Sequence, residues 1–292
     1  MTAMEAARTA LKEVFGYDDF RTGQEDAVAA ILRGREVMAV MPTGAGKSLC
    51  YQIPALVLPG ITLVVSPLIS LMRDQVSALL QYGVRAAYLN STLTPRQYML
   101  ALDNARRGVY RIIYVAPERL MTDSFLNFAR NADIAQVVVD EAHCVSQWGQ
   151  DFRPGYLNIA LFLNALEKRP RLSAFTATAT KTVRDDIIRL IGLREPYAIL
   201  TGFDRPNLFL EVRRPKDRDA ELRRFLEEHK GQSGIVYCGT RKGVEEVTRM
   251  LQDCGVDAVG YHAGMGDEMR SRAQEDFVSD RSPVIVATNA FG

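Results

Sequence analysis

Two adjacent carboxylates, Asp140 and Glu141, stand at the end of the apolar run Gln136-Val137-Val138-Val139. Carboxylates at a strand end are placed to hold a metal-bound nucleotide and to orient a water for attack on phosphorus. The same segment continues through His143 to Trp148, the only tryptophan of the chain, and on to Phe152 and Arg153. An aromatic ring with an arginine nearby is what an unstacked base binds, by stacking and cation–π contact. One segment therefore carries residue types for phosphate chemistry and for nucleic-acid contact.

A second constellation lies upstream. Met41-Pro42-Thr43-Gly44-Ala45-Gly46-Lys47-Ser48 joins the apolar run Val37–Val40 to a helical pattern starting near Lys47. Gly44 and Gly46 let the backbone curl so that its N–H groups face phosphate oxygens, and the helix N-terminus adds partial positive charge. In such a loop Lys47 reaches the β- and γ-phosphates and the Ser48 hydroxyl ligates Mg²⁺. The strict pattern has glycine where Met41 stands. With a phosphate loop upstream, the acidic pair divides its work: Asp140 holds Mg²⁺, directly or through water, and Glu141 orients the attacking water. His143 is a candidate coupler of the nucleotide to neighbouring loops; by itself it reads as a structural hydrogen-bonder.

The elements that must position these residues alternate. Strands are predicted at Val37–Val40, Thr62–Ser66, Ala86–Leu89, Arg111–Val115, Gln136–Asp140 and Leu172–Thr176. After a gap come Leu208–Val212, Gly234–Cys238, Ala258–Tyr261 and Val284–Ala287. The intervening segments read as helices: Thr94-Pro95 caps one, one from Thr180 closes at Gly192, and one from Val244 closes at Gly255. Strand–helix alternation with near-continuous apolar strands predicts an α/β fold with parallel sheets covered on both faces. The alternation pauses at Arg194-Glu195-Pro196 and at Gly202–Asn207, which places a boundary near residue 200 and predicts domains over 1–200 and 201–292. The last strand runs almost to Gly292, which predicts a chain cut inside its second domain.

With 292 residues, 47% hydrophobic and 24% charged, the chain has the make-up of an ordinary soluble protein. No apolar run reaches membrane-span length and the N-terminus has no signal-peptide pattern, so a cytoplasmic location is expected. Cys50, Cys144, Cys238 and Cys254 are scattered, which favours reduced thiols over disulfides or a zinc site. A net charge of +1 neither supports nor excludes a nucleic-acid partner.

Taken together these motifs resemble the superfamily 2 helicases, and more closely the RecQ family of DNA helicases, over essentially the whole chain. The resemblance is carried by Phe15–Gln24, the phosphate loop, Ser66–Met72, Ala116–Arg119, Asp140–His143, Phe175–Thr180 and Tyr261–Met265. Its most diagnostic piece is Ser146-Gln147-Trp148-Gly149 through Asp151-Phe152-Arg153-Pro154, which is similar to the RecQ aromatic-rich loop. The resemblance implies two RecA-like lobes, the second incomplete, ATP and Mg²⁺ as cofactors, and a 3′-to-5′ DNA helicase acting in repair and recombination. It implies that Gln24 hydrogen-bonds adenine while Tyr17 and Arg21 stack on it, within a nucleotide site that includes Thr43 and Ala45. It further implies that Thr176 and Thr178 link ATP state to lobe movement. Ser66, Arg73, Thr240, His262 and Thr288 would track the single strand, with Trp148, Phe152 and Arg153 as DNA sensors. Single-stranded and forked DNA are the implied substrates, single-strand-binding or repair proteins the implied partners, and a nucleoid-associated location follows if the source is bacterial. Gln150 stands where the family loop often has histidine. An arginine finger, a zinc module and a winged helix belong to the missing part, so the chain is expected to bind ATP and hydrolyse it poorly. An RNA-directed helicase of the same superfamily and a non-catalytic nucleotide- or DNA-binding fragment are the alternatives.

Overall fold

The structure, a computed structural model, describes residues 1–149, 151–202 and 208–291. The chain divides into two compact units, Met1–Arg205 and Pro206–Gly292. Gln150 and most of the Gly202–Asn207 turn lie outside the described residues.

The first unit opens with helices α1 (Ala3–Glu13) and α2 (Gln24–Leu32) and then alternates. In chain order come β1 (Val37–Val40), α3 (Lys47–Val57), β2 (Ile61–Val65), α4 (Ile69–Gln81), β3 (Ala86–Leu89), α5 (Pro95–Arg106) and β4 (Ile112–Val115). They are followed by α6 (Asp123–Asn131), β5 (Ile134–Val139), α7 (Asn158–Asn164), β6 (Arg171–Thr176), α8 (Lys181–Ile191) and β7 (Tyr197–Leu200). Local signals set several ends. Thr94 and Gln97 form a reciprocal capping box with Pro95 in the first turn, and Thr180 caps α8, which Gly192 ends at φ 79°.

All described pairings in this sheet are parallel, in the order β3-β4-β2-β5-β6-β1-β7. The strands β1, β2 and β4 are buried along their whole length, as a sheet covered on both faces requires. One face packs on Phe125, Phe128 and Phe162 and the other on Ala7, Leu11 and Tyr51. The strand order sets up the site: β6 lies between β5 and β1, so the loops leaving these three strands stand side by side. Neighbouring strands are roughly 4.8 Å apart, which puts the ends of β1 and β5 about 10 Å from each other.

The second unit holds α9 (Arg218–Glu228), β8 (Gly234–Tyr237), α10 (Arg241–Asp253), β9 (Ala258–Tyr261), α11 (Asp267–Val278) and β10 (Val284–Ala287). Its sheet is also parallel, ordered β8-β10-β9, over a core of Val244, Leu251, Ala258, Val284 and Val286.

Two expectations need correction. Leu208–Val212 is not a strand: it has no regular structure, and Phe209, Leu210 and Val212 are 86%, 90% and 87% exposed. Apolar β-formers make a strand only where a neighbour completes the ladder, and no described strand pairs with this run. Conversely, Tyr197–Leu200, where no strand is predicted, forms the edge strand β7, paired with β1. Only Ile199 is buried there, as befits an edge strand. Among the described residues no helix is long and apolar enough to cross a membrane.

Candidate nucleotide and nucleic-acid site

The phosphate loop bridges β1 and α3. Gly44 and Gly46 both have positive φ, 82° and 74°, and Gly46 is the N-cap of α3. A Cβ on Gly46 would collide with the Gln24 amide. Gln24, only 1% exposed, braces the loop: its amide donates to the carbonyls of Ala45 (2.9 Å) and Gly46 (3.2 Å) and accepts the Arg21 N–H (2.8 Å). Arg21 adds a bond from Nη1 to the Gly44 carbonyl at 2.9 Å. Lys47 folds back, with Nζ donating to the Met41 carbonyl at 3.2 Å. The residues expected to face adenine are therefore built into the phosphate loop itself, while Tyr17 lies 43% exposed.

Asp140 follows β5 directly and is held by a bond from its N–H to the Val65 carbonyl. It is 6% exposed, and burial together with the adjacent Glu141 pushes its carboxyl up to about 7. Its Oδ1 accepts the Glu141 N–H at 3.0 Å, and the Tyr156 hydroxyl donates to its carbonyl at 2.8 Å. A buried carboxylate so poorly compensated is a fit for a divalent cation arriving with a nucleotide. Among the described residues there is no group of three or more metal-type side chains. Mg²⁺ takes one or two carboxylates and completes its shell with phosphates and water.

Glu141 takes φ 45°, which turns its side chain away from the strand and back toward His143. The hydrogen bond with His143 holds the Glu141 carboxyl below its ordinary value. His143 Nδ1 lies 3.3 Å from Glu141 Oε2 and 2.9 Å from Thr176 Oγ1. The Thr176 hydroxyl gives its hydrogen to the Thr178 carbonyl at 3.1 Å, so toward His143 it accepts and Nδ1 carries the proton. Thr176 ends β6, and its carbonyl accepts the Met41 N–H at 3.0 Å. This buried threonine thus touches both the phosphate loop and the acidic segment, while Thr178 beside it is exposed.

Beyond a one-turn 3₁₀ segment at Ala142–Val145, the chain turns out to solvent. Trp148 is 77% exposed, and Phe152 is half-buried. Arg153 pairs with Asp151 and donates from Nη1 to the Pro67 carbonyl at 2.8 Å. Pro67 neighbours Ser66, which is fully buried with a hydroxyl that has no partner among the described residues, and Arg73 is exposed on α4. In the second unit, Thr240, His262 and Thr288 follow β8, β9 and β10, at the C-terminal end of that parallel sheet. Thr240 caps α10; His262 is buried, accepting the Gly264 N–H at Nδ1 and facing Glu245 at 3.4 Å through Nε2. Sequence reasoning missed Tyr156 and Asp186, which reach the site from distant segments; no motif marks such contacts.

Residues 21–186 match the DEAD/DEAH box helicase family, and residues 217–292 match the helicase conserved C-terminal domain. The chain is 42% identical over 290 residues to the ATP-dependent DNA helicase RecQ of Bacillus subtilis (strain 168), covering 99% of this chain and 49% of that protein. It is 44% identical over 286 residues to the protein of the same name from Haemophilus influenzae, covering 98% of this chain and 46% of that one. The chain thus spans about half the length of these relatives. Among solved structures, the DUF1998 helicase MrfA bound to DNA superposes with TM-score 0.73 at 20% identity, over 98% of this chain and 44% of that one. A hypothetical ATP-dependent RNA helicase from Sulfolobus tokodaii gives 0.54 at 21% identity, over 98% and 82%. At these identities the structural likeness establishes the fold alone.

Proposed function

Because this chain belongs to the DEAD/DEAH box helicases, we propose that it is the motor part of an ATP-dependent DNA helicase of the RecQ type. ATP hydrolysis drives 3′-to-5′ movement along single-stranded DNA and the unwinding of forked duplexes, in repair and recombination. Residues 1–200 form the ATP-binding lobe and residues 201–292 part of the second lobe. The protein works on DNA in the cytoplasm, beside single-strand-binding and repair proteins.

In this reading Lys47 leaves the Met41 carbonyl for the β- and γ-phosphates, with the N–H groups from Thr43 to Ser48 around them. Ser48 and Asp140 hold Mg²⁺, which neutralises charge on the phosphates. Glu141, kept ionised by His143, orients the attacking water. Gln24 turns its amide from the Ala45 and Gly46 carbonyls to adenine, with Tyr17 and Arg21 against the ring, so base binding frees the phosphate loop. Ser66, Arg73, Thr240, His262 and Thr288 follow the strand backbone, and Trp148, Phe152 and Arg153 meet its bases. The 292-residue chain binds ATP and turns it over slowly.

The observation that supports this best is the position of Thr176, bonded to Met41 on one side and His143 on the other. A displacement of the segment bearing Trp148 is passed to the phosphate loop through one side chain and its backbone. The test is ATP turnover with single-stranded DNA and with single-stranded RNA, on wild type and Lys47→Ala. Stimulation by DNA that Lys47→Ala abolishes is expected. Stimulation by RNA alone favours an RNA-directed enzyme, and nucleotide binding with no turnover under any condition favours a non-catalytic fragment.

A further inference from the structure

We propose that Asp186, which no motif includes, is a positioning residue for Trp148, holding the tryptophan turn against α8. The proposal rests on the reading of Trp148 as a DNA contact and names the part that fixes it.

Ser146 is the joint. It is fully buried, its hydroxyl donates to Asp186 Oδ2 at 2.7 Å, and the same oxygen accepts the Trp148 N–H at 3.2 Å. A serine hydroxyl has one hydrogen and two lone pairs, so this one spends its hydrogen on the helix and a lone pair on the turn. The bond to an ionised carboxylate is of the stronger class. Ser146 and Arg189 together hold the Asp186 carboxyl below its ordinary value. Asp186 Oδ1 accepts from Arg189 Nη2 at 2.6 Å, which fixes the carboxylate plane, and its side chain is only 16% exposed.

The turn itself has no slack. Gly149 donates to the Ser146 carbonyl at 3.0 Å, and a Cβ on Gly149 would collide with the His143 carbonyl. The backbone that carries the indole, itself 77% exposed, therefore stands where Ser146 puts it. It forms one wall of a cleft of about 290 Å³ whose other wall runs from Thr178 to Val183, with His143 also lining it. Helix α8 leaves that opposite wall and buries Val183, Ile187 and Ile191 in the core, so it is a fixed reference. Asp186 lies beside this apolar stripe, not on it, where a charged residue ordinarily faces water. Here it ties the two walls of the cleft together. Loss of the tie leaves Trp148 attached to the site only through its own chain.

The single tryptophan makes the test direct. Acrylamide quenching and anisotropy of Trp148 fluorescence are measured in the 292-residue chain, with titration by a thymidine oligonucleotide, for wild type, Asp186→Ala and Asp186→Asn. Asp186→Ala is expected to raise quenching, lower anisotropy and weaken oligonucleotide binding about tenfold. Asp186→Asn keeps an acceptor oxygen and is expected to return all three most of the way, which a merely destabilising change at this position does not do. Ser146→Ala reports the same signals and serves if Asp186→Ala does not fold. Quenching and anisotropy equal to wild type in a folded Asp186→Ala or Ser146→Ala protein overturn the proposal. A wild type that binds no oligonucleotide, with quenching still raised in Asp186→Ala, retains the tether and removes the reading of Trp148 as a DNA contact.

Discussion

Asp140→Asn separates the structural burden of the acidic pair from its chemistry. In the folded chain the Asp140 carboxyl is pushed from 3.8 to about 7 by burial and by Glu141. Between these values the folded state keeps a proton that the unfolded state has released, so stability falls as pH rises and levels off above about 7. At 1.36 kcal/mol for each pH unit, the upper limit of the loss is about 4 kcal/mol. Glu141 works in the opposite sense: its carboxyl is held below 4.5, so its stabilisation is present above that value and is lost only as pH falls beneath it. The range from about 5 to 7 therefore isolates Asp140. Asparagine keeps the oxygen that accepts the Glu141 N–H and removes the charge. Urea denaturation of the nucleotide-free chain from pH 5 to 8.5 checks this: the variant's stability relative to wild type is expected to rise by up to about 3 kcal/mol between pH 5 and 7 and to change little beyond. ATP turnover is expected to be lost. A difference between the two proteins that is constant across this range refutes a buried, uncompensated Asp140.

Other changes probe the rest of the site. Lys47→Ala removes charge-assisted contacts to phosphate and is expected to weaken nucleotide binding by about 1.5–3 kcal/mol, read by calorimetric titration. Gly46→Ala forces a side chain onto a left-handed backbone and into the Gln24 amide; urea denaturation should show a loss of about 1–2 kcal/mol, with nucleotide binding impaired. His143→Ala takes away the partner that lowers Glu141, so the acid limb of DNA-stimulated turnover moves to higher pH; an unmoved limb removes His143 from this role. Trp148→Ala should cost about 1–3 kcal/mol in single-stranded DNA affinity and leave nucleotide binding unchanged, by anisotropy of a labelled oligonucleotide.

What was legible in the sequence had local causes. The turn at Gly44 to Lys47 and the caps at Thr94 and Thr180 are written in a few neighbouring residues, and the fully buried strands β1, β2 and β4 in unbroken apolar runs. The errors came where neighbours far along the chain decide. Leu208–Val212 has the composition of a strand and no described ladder to join, whereas Tyr197–Leu200, a run of four apolar residues just after Pro196, becomes one beside β1. The brace that Gln24 gives the phosphate loop, through the carbonyls of Ala45 and Gly46, joins residues more than 20 positions apart and carries no local signal. The Ser146–Asp186 bond spans 40 residues and joins two side chains that by type alone read as solvent-facing.

The central claim is that one chain links a phosphate site to a DNA-contacting loop through His143 and Thr176. Titration of the single Trp148 with a thymidine oligonucleotide, with and without a non-hydrolysable Mg²⁺–ATP analogue, tests it most directly. Linkage requires nucleotide and DNA to alter each other's affinity by the same factor, typically about 5–150-fold for coupled sites. A shift of at least about fivefold, abolished by Lys47→Ala, is the predicted result. An oligonucleotide affinity that is the same with and without the analogue, when both ligands bind, contradicts the account.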